Sequence, residues 1–162
     1  MIFAMEAIEL KVTLRAMCSA DLERVGQIEH AVFTDPWPND EFEDHMNDVD
    51  GGALVAEGEG EMAGYACYQI DDHKLHLTNL AVDDAFRRKS VAKQVLAHIL
   101  DLARDLDCEL IFLEVRVSNE AARCFYEASG FRTVDRIRRY YVSPVEDALV
   151  MTRWVNQAPS NR

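Results

Sequence analysis

LIFLEVRVSNEAARCFYEASGF, residues 110–131, decides the fold class. Its opening, LIFLEV, is an almost unbroken apolar run, too short for a helix and typical of a strand covered on both faces. Asn119–Ser129 then reads as a helix, and Gly130 stands where helices stop, because glycine takes the left-handed conformation without penalty. The same order recurs upstream. Lys74–Val82 reads as a strand, followed by a helix from about Ser90 to Leu106 with Val91, Val95, Ile99, Leu102 and Leu106 as its buried stripe. Two strand–loop–helix units in succession point to a sheet layered with helices.

The flanks extend the pattern. Ile8–Arg15 alternates apolar and polar residues, the mark of a half-buried strand. Ser19 or Asp21 can cap a helix with Leu22, Val25, Ile28 and Val32 on one face. FTDPWPND (33–40) breaks that helix, and Asn39 or Asp40 can cap a short second one through about Met46. Gly51–Glu57, the turn EGEGE and Met62–Ile70 form a hairpin; Phe131–Val142 and Ala148–Val155 close the chain as strands. The resulting β-α-α-β-β-β-α-β-α-β-β order is an α/β arrangement (α+β by some schemes), a mixed sheet of about seven strands with about four helices on both faces. A single domain over residues 1–156 is expected, with a short tail at 157–162 and translation starting at Met1 or Met5.

Composition excludes several classes of function. With 49% apolar and 28% charged residues the chain is an ordinary soluble globule, and no apolar run approaches the ~20 residues of a membrane span. MIFAMEAIEL lacks the basic region and long apolar core of a secretory leader. Cys18, Cys67, Cys108 and Cys124 are scattered with no CxxC pair, which suits a reducing cytoplasm. His73 and His76 have no third ligand at useful spacing, so no metal site is expected.

Charge is distributed unevenly. Between Val25 and His73 there are thirteen acids and no Lys or Arg, whereas the remainder carries 16 acids against 17 bases. That asymmetry argues against nucleic acid as the main partner. It leaves either a cationic partner on the acidic side or a merely solvated surface.

Three places carry candidate chemistry. In DDAFRRKSVAKQVLAHIL (83–100), Arg87, Arg88, Lys89 and Lys93 crowd the start of a helix, where the backbone dipole is already positive, while Asp101, Asp105 and Asp107 sit at its end. Each such misplaced charge costs ~0.3–1 kcal/mol when exposed, so the pattern fits a bound polyanion such as a pyrophosphate, with a solvated basic face as the alternative. Glu114 interrupts the apolar strand; a carboxylate there is either a general base near neutrality or the partner of Arg116 or a neighbouring strand. Asn119 and Tyr126 are two helical turns apart and share a face just beyond Glu114, so the phenol is either core packing or a proton donor to a leaving group. Cys124 reads as a small core residue.

Taken together, LAVDDAFRRKSVAKQVL, AVFTDPW, FLEVRVSNEAARCFYEASGF and RIRRYYVSPVEDALVM resemble the GCN5-related N-acetyltransferase (GNAT) superfamily, from about Ile8 to Val155. The nearest likeness is to its ribosomal-protein alanine N-acetyltransferase (RimI-like) family. The resemblance implies acetyl-CoA as acetyl donor, no metal, and transfer to the free α-amino group of a protein N-terminus, such as the N-terminal Ala of a small-subunit ribosomal protein. It implies Glu114 as general base and Tyr126 as general acid. Arg87, Arg88, Lys89, Ser90, Val91, Ala92 and Lys93 would hold the pyrophosphate, the main chain of Leu80, Ala81 and Val82 the pantetheine, and Asn119 with Tyr126 the cofactor arm. Phe33, Pro36, Trp37, Tyr140 and Tyr141 would shape the acceptor groove. The parallel strands ending near Val82 and Val115 would splay apart to admit the cofactor. Ser90 departs from the family pattern, which has Gly in that slot. The implied enzyme is a cytoplasmic monomer or weak dimer with a basic peptide acceptor and neither nucleic acid nor membrane as partner. Acetylation of a lysine side chain or a small amine, and non-catalytic CoA binding, are the competing readings.

Overall fold

The computed structural model describes residues 9–156; Ile8, both candidate start sites and the 157–162 tail lie outside the described residues. Seven strands form one sheet in the order β1-β2-β3-β4-β5-β7-β6. They are β1 (Thr13–Ala16), β2 (Gly51–Gly58), β3 (Glu61–Asp71), β4 (Lys74–Val82), β5 (Leu110–Arg116), β6 (Arg132–Val142) and β7 (Val145–Trp154). The helices are α1 (Leu22–Val32), α2 (Asn39–Asn47), α3 (Val91–Asp105) and α4 (Glu120–Ala128). All neighbours are antiparallel except β4 and β5.

Strand alternation distributes side chains to two cores, one on each face. Leu75, Leu77, Ile111 and Leu113 meet Val91, Val95 and Ile99 of α3 on one face. Val55, Tyr65 and Cys67 meet Val25 and Ile28 of α1 and Phe42 of α2 on the other. Each fully buried aliphatic side chain contributes ~1.5–3 kcal/mol. A bidentate ion pair sets the start of α1. Arg15 of β1 holds Asp21 through Oδ1 and Oδ2, both at 2.8 Å, and Asp21 accepts the Cys18 N–H at 2.8 Å. The hydrogen bonds from Arg15 keep the Asp21 carboxyl down at about 2.

The parallel pair positions the site. β4 and β5 are hydrogen-bonded only from Lys74–His76 to Leu110–Phe112. Beyond that rung both strands continue, β4 to Val82 and β5 to Arg116, without pairing to each other. A bulge helps to turn β4 away: Cys67 faces Asn79 and Tyr68 faces Leu77, so Thr78 is the extra residue. The splay expected from the family likeness is therefore present.

Five details differ from the sequence reading, one of them being Cys124, which is exposed on α4 and not a core residue. The first strand starts at Thr13, because the backbone of residues 10–12 turns to α3: Gln94 bridges the Val12 N–H and the Leu10 carbonyl, and Leu10 N–H donates to the Lys89 carbonyl. Leu106 is 47% exposed because α3 ends before it, and Leu96, Leu100 and Ala103 complete the buried stripe instead of Leu102 and Leu106. Strand β7 begins at Val145, three residues earlier than Ala148, since Ser143-Pro144 alone turns the chain. Strand β5 is sealed on the Ile111–Leu113–Val115 face only; the Phe112–Glu114–Arg116 face is half-buried and borders a cleft.

Candidate active site

The fork between β4 and β5 opens into a cleft of about 520 Å³. Glu114 and Arg116 of β5 line it together with Leu77–Leu80 of β4, Asn119 and Tyr126 of α4, Phe33–Pro38 between α1 and α2, and Tyr140 and Tyr141 of β6. Nine of the residues singled out from sequence thus converge on one cavity: Glu114, Tyr126, Asn119, Leu80, Phe33, Pro36, Trp37, Tyr140 and Tyr141. Ala81 and Val82 do not line it; Ala81 is a core residue packed toward α1 and α2, and Val82 packs against the α3 side.

Alternation along β5 explains Glu114. It points away from the face that buries Leu113 and Val115, into the fork, where 15% of its side chain is exposed. Its partner is not Arg116. That guanidinium instead meets Glu146 at 3.4 Å, the carbonyls of Ser143 and Pro144 at 3.2 and 3.0 Å, and the face of Tyr141 at 4.2 Å. Glu114 Oε2 accepts from His76 Nε2 of β4 at 2.5 Å.

Helical periodicity explains Asn119 and Tyr126. Asn119 caps α4, its Oδ1 accepting from the Ala122 N–H at 3.2 Å. Tyr126 packs between Phe125 and Phe131 with 8% of its surface exposed. Burial, reinforced by Tyr141, raises its phenol well above the ordinary tyrosine range, so it stays protonated at any working pH. Burial with Tyr140 and Glu114 nearby pushes Tyr141 up to about 12.

The segment between α1 and α2 is held down by a residue the sequence reading passed over. Glu29 is 1% exposed and accepts the Trp37 N–H at 3.0 Å, the Asn79 amide at 3.1 and 3.3 Å, and the Tyr65 hydroxyl. Three elements are tied together by one carboxylate. A charge at 29 on the same helical face as Val25 and Ile28 was the available signal. His45 of α2 is also buried. It stacks on Trp37 at 5.1 Å and hydrogen-bonds Thr78 at 2.9 Å. The cleft is acidic, with Glu29, Asp35, Glu41 and Glu114 against Arg116.

The basic segment forms a separate feature at the far end of β4. Arg88 and Ser90 both have positive φ, 61° and 62°. This turn brings the chain into α3, whose Val91, Ala92 and Lys93 N–H groups make no hydrogen bond outside the helix among the described residues, the ordinary geometry of an anion site. Arg87 is paired with Asp84 at 2.9 Å and Lys89 lies over the Phe86 ring, whereas Arg88 and Lys93 are exposed. The reversed charge pattern is thus partly neutralised within the chain, and the remainder suits a phosphate ligand. Among the described residues no group of three His, Cys, Asp or Glu is placed to hold a metal, and no helix is long and apolar enough to cross a membrane.

Comparison with known proteins gives the same reading. Residues 22–131 match the Acetyltransferase (GNAT) family. The chain is 31% identical to the [Ribosomal protein bS18]-alanine N-acetyltransferase of Salmonella typhimurium, covering 86% of this chain and 95% of the relative. It is 30% identical to the N-alpha-acetyltransferase RimI of Mycobacterium tuberculosis, covering 88% and 92%. The crystal structure of the ribosomal-protein-S18-alanine N-acetyltransferase from Escherichia coli superposes with a TM-score of 0.82 at 28% identity, over 94% of this chain and 99% of that one. With its forked parallel strands, its basic turn into α3 and these relatives, the chain belongs to the acetyltransferase (GNAT) family.

Proposed function

We propose that this acetyltransferase, a single catalytic domain, transfers acetyl from acetyl-CoA to the free α-amino group of a protein N-terminus, the alanine of a ribosomal protein being the leading acceptor. The observation that carries the reading is the convergence of Glu114 and Tyr126 on one cleft at the strand fork, walled by Phe33, Trp37, Tyr140 and Tyr141. The names of its relatives support the choice of acceptor. The reaction is placed in the cytoplasm, where ribosomal proteins are made, with the enzyme as a monomer or weak dimer.

Acetyl-CoA supplies the activated thioester. The residues of the basic turn fit its pyrophosphate: the side chains of Arg87, Arg88, Lys89 and Lys93, the Ser90 hydroxyl, and the first-turn N–H groups from Val91 to Lys93. The unpaired edge of β4 offers main chain at Leu80, Ala81 and Val82 to the pantetheine, and the Asn119 amide nitrogen is left over from its capping bond.

Glu114 then removes the amine proton. Its Oε2 is occupied by His76, and Oε1, without a hydrogen bond among the described residues, is the basic atom. About a tenth of an α-amine (pKa ~8) is neutral at pH 7, against under about a thousandth of a lysine (~10.4), so a carboxylate serves an N-terminus far better. Tyr126 donates toward the departing sulfur. Full transfer from so weak an acid is uphill, so its main contribution is a hydrogen bond that strengthens as negative charge develops. The acidic cleft draws a cationic peptide, while the basic turn draws the anionic donor.

A panel of short peptides differing in first residue and charge tests the reading by acetyl-CoA turnover. Basic peptides with a free N-terminal Ala should turn over fastest. Activity confined to internal lysines or small amines, or CoA binding without any turnover, would refute it.

A further inference from the structure

Glu114 is held in place by a residue that does not line the cleft. His76 lies on the last rung that joins β4 to β5, opposite Phe112, and its ring stacks on the Phe112 ring at 4.3 Å with 13° between planes. From there Nε2 reaches two residues along β5 to donate to Glu114 Oε2 at 2.5 Å. The contact bridges the fork where backbone pairing stops. A glutamate side chain has three rotatable bonds, and on the fork side of β5, where pairing with β4 has ended although β7 still pairs on the other side, no other hydrogen bond among the described residues fixes the outer ones. The neighbouring cation, Arg116, is engaged with Glu146 and with the turn between β6 and β7. The other titratable groups close to Glu114, Tyr140 and Tyr141, respond to its charge but make no hydrogen bond to it among the described residues.

Geometry also separates this contact from ordinary surface pairing. The ring is clamped on Phe112, so the donor is prearranged, and the contact lies in a fork where 26% of His76 and 15% of Glu114 are exposed. With Oε2 occupied, only Oε1 is left for the amine. A base fixed in one rotamer does not have to be reordered when the acceptor arrives.

We propose that His76 is a positioning residue for the reaction: its Nε2–H fixes the Glu114 carboxylate so that Oε1 faces the acceptor amine. The assignment rests on Glu114 being the general base.

The test is steady-state kinetics on the full chain with acetyl-CoA and a basic peptide bearing a free N-terminal Ala, for His76→Leu, His76→Gln, Glu114→Gln and the double variant His76→Leu/Glu114→Gln. His76→Leu, which keeps an apolar surface against Phe112, should lower kcat by about a hundredfold, the size expected of a misplaced reacting group. KM for acetyl-CoA should stay within about twofold, since the donor site is untouched. His76→Gln restores a donor of similar reach and should recover kcat to within about tenfold of wild type. In the Glu114→Gln background, His76→Leu should cause no further loss. If the leucine variant is unstable, His76→Asn, too short to reach Oε2, replaces it and should behave the same way. A wild-type kcat for the leucine variant, or equal losses with and without Glu114, would overturn the role of His76 alone. Wild-type activity for Glu114→Gln would remove Glu114 as base and with it this proposal.

Discussion

The two sides of the fork treat charge in opposite ways. On the side proposed for the acceptor, the buried Glu29 is saturated by Tyr65, Trp37 and Asn79, and the half-buried Glu114 is held by His76, so both carboxylates have donors within the protein. On the donor side, Arg88 and Lys93 project into solvent from a turn whose backbone is itself strained at residues 88 and 90. The first is built complete; the second is only partly neutralised within the chain and would gain from an anion. A bisubstrate enzyme can exploit this difference. Under the proposed assignment the acceptor groove would select by preformed shape, and the donor loop would gain stability from its own ligand.

The sharpest way to break the comparison is Glu29→Leu. The variant leaves the Tyr65 hydroxyl, the Trp37 N–H and the Asn79 amide without their acceptor, and Asn79 Oδ1 already lacks a partner. Orphaning buried donors costs ~1–3 kcal/mol each, not fully additively, so about 3 kcal/mol or more of stability should be lost. Urea unfolding measures this, and peptide KM should rise more than acetyl-CoA KM. A wild-type urea midpoint would mean that the acceptor side is not prebuilt.

Arg88→Gln and Lys93→Gln probe the other side and should act with opposite sign in free and bound protein. Without ligand each removes a cation from the positive end of α3, so thermal stability should hold or rise slightly. Saturating CoA at about 100 Kd should stabilise the wild type by ~2.7 kcal/mol, or about 5–10 °C, by linkage. The variants should show a smaller ligand-induced shift, weakened further by salt in the wild type than in either variant. Equal shifts in all three proteins would dissociate these cations from the ligand.

Legibility in the sequence followed periodicity. Strand β5 and helix α4 were readable, with Glu114, Asn119 and Tyr126 in their correct relation, because alternation and the 3.6-residue repeat fix which side chains share a face. The fork itself came from likeness to a family, since nothing in the pattern of Leu75–Val82 marks where pairing with β5 ends. Glu29 and His76 were lost for a related reason. Their importance lies in partners 50 and 38 residues away, and from local sequence one is an acid among thirteen and the other half of a rejected metal pair. The first strand was overextended because Gln94 satisfies the backbone of Leu10 and Val12 as well as a strand would, leaving the alternation intact without the ladder.

Ser90 is where sequence and geometry meet most directly. The expected glycine allows close backbone approach to phosphate, but the structure supplies a second reason for it: Ser90 sits at φ 62°, ψ 20°, in the left-handed region. A residue with Cβ pays ~1–2 kcal/mol there. Serine at a helix N-cap normally recovers ~1 kcal/mol through its hydroxyl, yet Ser90 makes no side-chain capping bond, because that bond requires an extended backbone. Ser90→Gly therefore removes strain and no intramolecular hydrogen bond. After subtracting the greater freedom of glycine in the unfolded chain, it should stabilise the free protein by about 0.5–1 kcal/mol. Ser90→Ala retains the strain and should show no gain. Acetyl-CoA should bind the glycine variant at least as tightly, measured by titration calorimetry. Weaker binding by both the glycine and the alanine variants would instead assign the free hydroxyl to the ligand, making residue 90 a preorganised donor on a side of the fork that otherwise awaits its anion.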